Sequence, residues 1–271
     1  MASSLLALLL VSGAALAPSH PPTAVVRVRA MDYSFTAPSS IRAGVTTFRL
    51  TNAGKELHHL SIVRLPEGKS AADYLAAVKA EGRPPRWATD VGGPNPATPG
   101  ATIDATVTLE AGNYALVCFI PSPGNPMPHL MKGMVRPLTV RAPARTAVLP
   151  AADVDVRLND YAFAFSRPLT AGRHVLRVTN DAEQPHEMVV IRLGPGKSIA
   201  DVGDWVLAGM LGSPPGMPIG GMAPLSKGHS ATFPLRLAPG RYGMICFLPD
   251  AKDGKQHDQH GMMQEFEVAA R

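Results

Sequence analysis

The chain carries one sequence twice. Asn52 pairs with Asn180, His58 with His186, Cys118 with Cys246, His129 with His257 and Met134 with Met262, each at an offset of 128 residues. No net insertion or deletion therefore separates the copies over this stretch. Scaffold pairs keep the same step: Asp32-Tyr33 with Asp160-Tyr161, Gly92-Gly93 with Gly220-Gly221, and Tyr114 with Tyr242. Solenoid repeats run at about 20–50 residues, so this period matches a whole duplicated domain instead. The fold has to be one that a chain of this length can form twice.

Charged residues make up only 17% of the 271 positions, and 27 prolines with 25 glycines leave little room for long helices. That composition favours strands and turns. Alternating segments recur in both copies: VVRVRA, TTFRLTN, HLSIVRL, ATVTLE and YALVCF, then VDVRL, HVLRVTN, EMVVIRL, ATFPLRL and YGMICF. One helical excursion interrupts each set, opened by Ser70 with Asp73 and by Ser198 with Asp201, the spacing of an N-cap and its reciprocating acid. We expect an all-β protein of two tandem Greek-key β-sandwich domains, each with a short helical insertion. The expected boundaries are 24–140 and 154–268, joined by an Ala- and Pro-rich linker at 141–153.

Residues 1–17 carry an apolar run from about Leu5 that ends in Ala15-Leu16-Ala17, the pattern of a cleaved signal peptide. The expectation is export to the periplasm or the extracellular space, with no transmembrane domain after removal of the signal. Two cysteines in an exported chain would ordinarily suggest a disulfide. Here they occupy equivalent points of two domains, so each is expected to serve its own. The net charge of +5 is spread rather than clustered, which argues against nucleic acid and suits an acidic protein partner.

What the halves share is the chemistry: a His, a Cys, a second His and a Met in each. Imidazole, thiolate and thioether are the ligands of soft metal sites, and the set points to copper. On YALVCF, Tyr114, Leu116 and Cys118 share one strand face, which puts the thiol inside if that face meets the core. Strand alternation is expected to turn only one of His58 and His59 inward. His58 is the choice because its counterpart is His186, whereas His59 matches Glu187. His257 is preferred to His260 because it keeps the four-residue gap to Met262. Met131 and Met263 are second choices for the axial position, and His174 and His229 are read as structural.

Asn52-x5-His58, then Cys118, then His129-x4-Met134 with Gly133 before the methionine, resembles the cupredoxin family of plastocyanin and azurin relatives, and the second half repeats the pattern. The resemblance implies one type 1 copper held by His58, Cys118, His129 and Met134, and a second held by His186, Cys246, His257 and Met262. It also implies one-electron transfer with a protein redox partner. The chain departs from the family in its loops: ten residues separate Cys from the second His, FIPSPGNPMP in one copy and FLPDAKDGKQ in the other.

Two-domain members of that family include enzymes, which add histidines for a catalytic copper. This chain has no His-x-His, and its cysteines are flanked by Val117 and Phe119 and by Ile245 and Phe247. The expectation is a carrier rather than an enzyme. A copper chaperone or store, or a metal-free binding module, is the alternative. The oligomeric state is open.

Overall fold

The computed structural model describes residues 23–145 and 148–270. The segment read as a signal peptide, 1–17, lies outside the described residues. The first half runs β1 (Ala24–Met31), β2 (Ser34–Thr36), β3 (Ser40–Asn52), β4 (Ser61–Leu65), α1 (Ala71–Glu81), β5 (Thr89–Asp90), β6 (Thr102–Leu109), β7 (Gly112–Val117), β8 (Pro121–Ser122), β9 (Asn125–Pro128) and β10 (Val135–Arg145). The second runs β11 (Val154–Asn159), β12 (Ala162–Phe165), β13 (Gly172–Asn180), β14 (His186–Leu193), α2 (Ile199–Leu207), β15 (Gly216–Leu225), β16 (Ser230–Leu237), β17 (Gly240–Ile245) and β18 (Met263–Val268). β10 extends five residues into the stretch read as a linker.

In the second half, β12-β11-β13-β16 lie in one sheet and β15-β14-β17-β18 in the other. The chain crosses between sheets after β13, β15 and β16, which is the Greek-key sandwich expected. In the first half the long β10 joins the two sheets, pairing with β7 and, through Thr139–Arg141, with β3. Strand alternation sets the layers. Tyr114, Leu116 and Cys118 face the main core, while Ala115 and Val117 pack with Tyr74 and Val78 of α1. Burying large side chains such as Phe48, Leu50 and Leu116 stabilises by about 1.5–3 kcal/mol each.

Both helices begin as their spacing predicts. Ser70 accepts from the Asp73 amide while Asp73 accepts from the Ser70 amide, and Ser198 with Asp201 does the same. These reciprocal caps satisfy amides that a helix start would otherwise leave unpaired.

The halves are not beads on a string. β16 pairs with β6 (Ala231 with Val107, Thr232 with Thr106), so one sheet continues from one half to the other. Beside it, the Gly92 amide donates to Pro224 O and the Ala223 amide to Gly93 O, both at 2.9 Å. Gly93 and Gly221, at φ of 142° and 150°, explain the repeated Gly pair. A Cβ on Gly93 would sit 1.9 Å from Leu60 O, and one on Gly221 would sit 2.0 Å from Met188 O. Only glycine lets the crossing segment approach the main chain near each first histidine so closely. A single apolar core holds residues of both halves, with Val91 and Ile62 in it beside Met222 and Leu225.

Candidate metal centres

Each set comes from three places in its sandwich. His58 is held between β3 and β4 by main-chain bonds to Ala97, at 3.2 and 2.8 Å. His186 opens β14 and pairs with Leu225, the residue equivalent to Ala97. Asn52 sets the approach: its amide donates to Glu56 O at 2.7 Å and Ala97 O at 2.9 Å, and its oxygen accepts from the Gly54 amide. Asn180 repeats this with Gln184 O, Leu225 O and the Ala182 amide. The repeated asparagine is thus a staple for the loop that delivers the first histidine.

Cys118 and Cys246 follow β7 and β17. His129 and His257 begin short 3-10 turns, His129–Lys132 and His257–His260. Gly133 and Gly261 close those turns at φ of 108° and 95°, so the glycine before each Met is a left-handed stop. The chain then returns to the cysteine: the Cys118 amide donates to Met134 O, and the Met134 amide to His129 O. In the first half the ten-residue loop folds into the β8–β9 hairpin, whose Gly124 amide donates to Gly209 O just beyond α2. The long loop therefore anchors one half on the other.

All eight side chains named by the sequence are fully buried. Cys118 Sγ lies 4.0 Å from His58 Nδ1 and 3.6 Å from His129 Nδ1, and the two Nδ1 atoms are 3.1 Å apart. In the second half Cys246 Sγ lies 4.0 Å from His186 Nδ1 and 3.3 Å from His257 Nδ1. Metal bonds of about 2.0–2.1 Å to nitrogen and 2.3 Å to sulfur put donors of one ion roughly 3.3–3.8 Å apart. Both sets bracket that spacing.

Outer contacts orient the imidazoles. His58 Nε2 meets Asp32 Oδ1 at 2.8 Å, and His186 Nε2 meets Asp160 Oδ1 at 2.8 Å. A carboxylate at Nε2 keeps the proton there and turns the Nδ1 lone pair toward the centre. The second histidines differ. His129 Nε2 meets Glu56 Oε2 at 2.9 Å, while Tyr33 donates to Glu56 and Lys132 to Ser122. In the second half position 56 becomes Gln184 and position 122 becomes Asp250, so the acid has changed sides. Asp250 accepts from Tyr161 at 2.6 Å and Gln184 at 2.9 Å, leaving His257 Nε2 4.0 Å away and without a partner among the described residues.

Protonation follows burial. Desolvation pushes the Cys118 thiol up to about 12 and the Cys246 thiol well above its ordinary value. It lowers His129 and His186, and takes His257 down to about 4, helped by neighbouring His186. Burial also works against Glu56, but hydrogen bonds from Ser122, Tyr33 and His129 outweigh it and hold the carboxyl below its usual range. Asp250 is held low chiefly by the Tyr161 hydroxyl. A metal must therefore displace the thiol proton, whereas the carboxylates are ready to serve as acceptors.

The structure places the alternatives that the sequence offered. Both His58 and His59 are buried, against the expectation of one inward and one outward. The strand does not begin until Ser61, so the histidines are not neighbours on it, and His59 turns toward Asn95. Met131 and Met263 pack with the small clusters beneath α1 and α2, whereas Met134 and Met262 share the main core with the cysteines. His260 stands outside the second set, against Asp253 at 3.1 Å. His174 is structural, bonded to Asp153 and Thr170 O. Asp32 and Asp160, which the sequence shows only as a repeated scaffold pair, turn out to orient the first imidazoles.

No protein-family model and no curated protein matches the chain. Among solved structures it is similar to auracyanin A, a "blue" copper protein from Chloroflexus aurantiacus, at 21% identity and a TM-score of 0.32, over 44% of this chain and all of that one. A multicopper oxidase is similar over 90% of this chain and 88% of its own, at 14% identity and a TM-score of 0.26. The copper-containing nitrite reductase of Thermus scotoductus is similar over 90% of this chain and 61% of its own, at 12% identity and a TM-score of 0.24. By its own residues, the chain resembles the cupredoxin family in both halves, and each His–Cys–His set fits a type 1 copper site.

Proposed function

We propose that this chain is an exported one-electron carrier with a type 1 copper centre in each half. His58, Cys118 and His129 would hold the first, with Met134 as a further ligand; His186, Cys246 and His257 would hold the second, with Met262. The observation that carries this reading is the donor set itself: two imidazole nitrogens and one thiol sulfur, all buried, within 4.8 Å of one another, twice. Bound copper supplies a one-electron couple between its two common oxidation states. The chain's residues do the rest. Asp32 and Asp160 fix the first imidazoles, burial keeps water out, and the Cys118 and Cys246 amides are held in place by donating to Met134 O and Met262 O.

A carrier is favoured over an enzyme by what surrounds these sets. The cysteines have apolar neighbours, and the chain has no His-x-His with which to build a further copper centre. The redox partner is proposed to be an acidic protein, in keeping with the net charge of +5. No helix among the described residues is long and apolar enough to cross a membrane.

The test is the visible spectrum after loading with Cu(II), beside Cys118→Ser, Cys246→Ser and the double variant. A strong thiolate–copper band, reduced in each single variant and absent from the double one, is expected. Cu(I) uptake without colour would move the function to copper handling, and no uptake at all would leave a binding module.

A further inference from the structure

Three buried polar side chains that the copper sets leave unused form one line between the halves. The Phe119 amide, next to Cys118, donates to His59 Nε2 at 2.8 Å. That occupies the Nε2 lone pair, so a neutral ring carries its proton on Nδ1, which lies 3.1 Å from Asn95 Oδ1. The Asn95 amide donates to Glu187 Oε2 at 2.8 Å. Glu187 Oε1 accepts from the Phe247 amide, next to Cys246, at 3.2 Å. The line thus runs unbroken from the peptide after one cysteine to the peptide after the other. At its far end it doubles back, because the Glu187 amide also donates to Cys246 Sγ at 3.4 Å.

The arrangement follows the duplication. His59 and Glu187 are equivalent residues, each directly after the first histidine of its set, and each receives the amide that follows its own cysteine. Their chemistry differs but their place does not. Asn95 joins them, and the second half has Ala223 at the equivalent position, so the connection is made once, from one side only.

Adhesion between the halves does not need this line. Shared strands, main-chain bonds and a common apolar core already join them. A carboxylate at 5% exposure, held by two N–H donors and paired with no basic side chain among the described residues, is a costly way to hold an interface. What the line adds is a polar connection in a low-dielectric interior, where each hydrogen bond polarises the next.

We propose that His59, Asn95 and Glu187 couple the two metal centres, so that the oxidation state of one sets the reduction potential of the other. This rests on the copper reading above. Hydrogen bonding around a cysteine sulfur tunes the potential of such a centre. An electron added at one centre raises the charge on its sulfur and shifts the adjoining peptide. His59 or Glu187 passes that shift to Asn95 and so to the peptide beside the other cysteine. The coupling is reciprocal, as any equilibrium linkage must be.

The test is a reductive titration of the full-length, copper-loaded protein, followed by its thiolate–copper absorption. Cys118→Ser and Cys246→Ser give each remaining centre alone. The wild-type curve is expected to depart from the sum of the two by about tenfold in one reduction constant, which is 59 mV for one electron. Asn95→Ala, which installs the residue the second half already carries, is expected to return the curve to that sum. Asn95→Leu serves if alanine unfolds the protein. Coloured centres that titrate additively in wild type, or a departure that survives in a folded Asn95 variant, would overturn the bridge and leave the copper reading intact. Single-cysteine variants that take up no copper would overturn both.

Discussion

The two centres hold their first histidine alike and their second differently. Asp32 and Asp160 meet the first imidazole at the same distance, 2.8 Å. Glu56 grips the second imidazole of the first half at 2.9 Å, whereas Asp250 stands 4.0 Å from its counterpart and is engaged by Tyr161 and Gln184. The acid stands at position 56 in one half and at the place of Ser122 in the other, where His257 Nε2 has no partner among the described residues. The two halves share the His–Cys–His set and the first outer contact, and differ in the second.

The largest effect should come from the shared feature. Asp32→Ala and Asp160→Ala are each expected to weaken copper binding at their own centre by about 10–100-fold, the usual cost of losing such a partner. Competition with a copper chelator in the single-cysteine backgrounds measures both, and losses differing by more than tenfold would break the symmetry drawn here. A smaller effect should sharpen the contrast. Glu56→Gln is expected to weaken the first centre by about tenfold, at the low end of the same range. Gln184→Ala is expected to leave the second less changed, because Gln184 hydrogen-bonds Asp250 and Asp160 but neither imidazole. Equal losses from the two would show that the outer contacts work alike.

The smallest effect concerns protons, and here the halves should agree. Burial keeps both thiols protonated before metal arrives. At pH 8, above the ordinary imidazole range, copper loading is expected to release about one proton per centre in a weakly buffered titration. A protein that releases none would have thiolates already formed, contrary to the burial of Cys118 and Cys246.

The six residues that gather as two His–Cys–His sets were legible because a metal site demands side chains that little else requires, and the offset of 128 showed them twice. The Ser70 and Ser198 caps were legible because their chemistry is local, confined to four consecutive residues. The asparagine staples were visible as a repeated pair, but their purpose was not, since their partners Ala97 and Leu225 lie 45 residues on. The burial of both His58 and His59 was not legible, because both precede the strand that begins at Ser61 and strand alternation does not govern them.

By itself, then, the sequence determined the duplication, the alternating strands that make each half a sandwich, and the donor set each half encloses. These follow from local periodicity and from ligand chemistry, which short segments carry within themselves. Only the tertiary structure decided that β6 and β16 join the halves into one sheet, and that His59, Asn95 and Glu187 line up between the centres. It alone decided, too, that Glu56 reaches a histidine where Asp250 does not. Each of those depends on hydrogen-bond geometry between residues far apart in the chain. A shift of about an ångström makes or loses such a contact, and no spacing along the sequence records it.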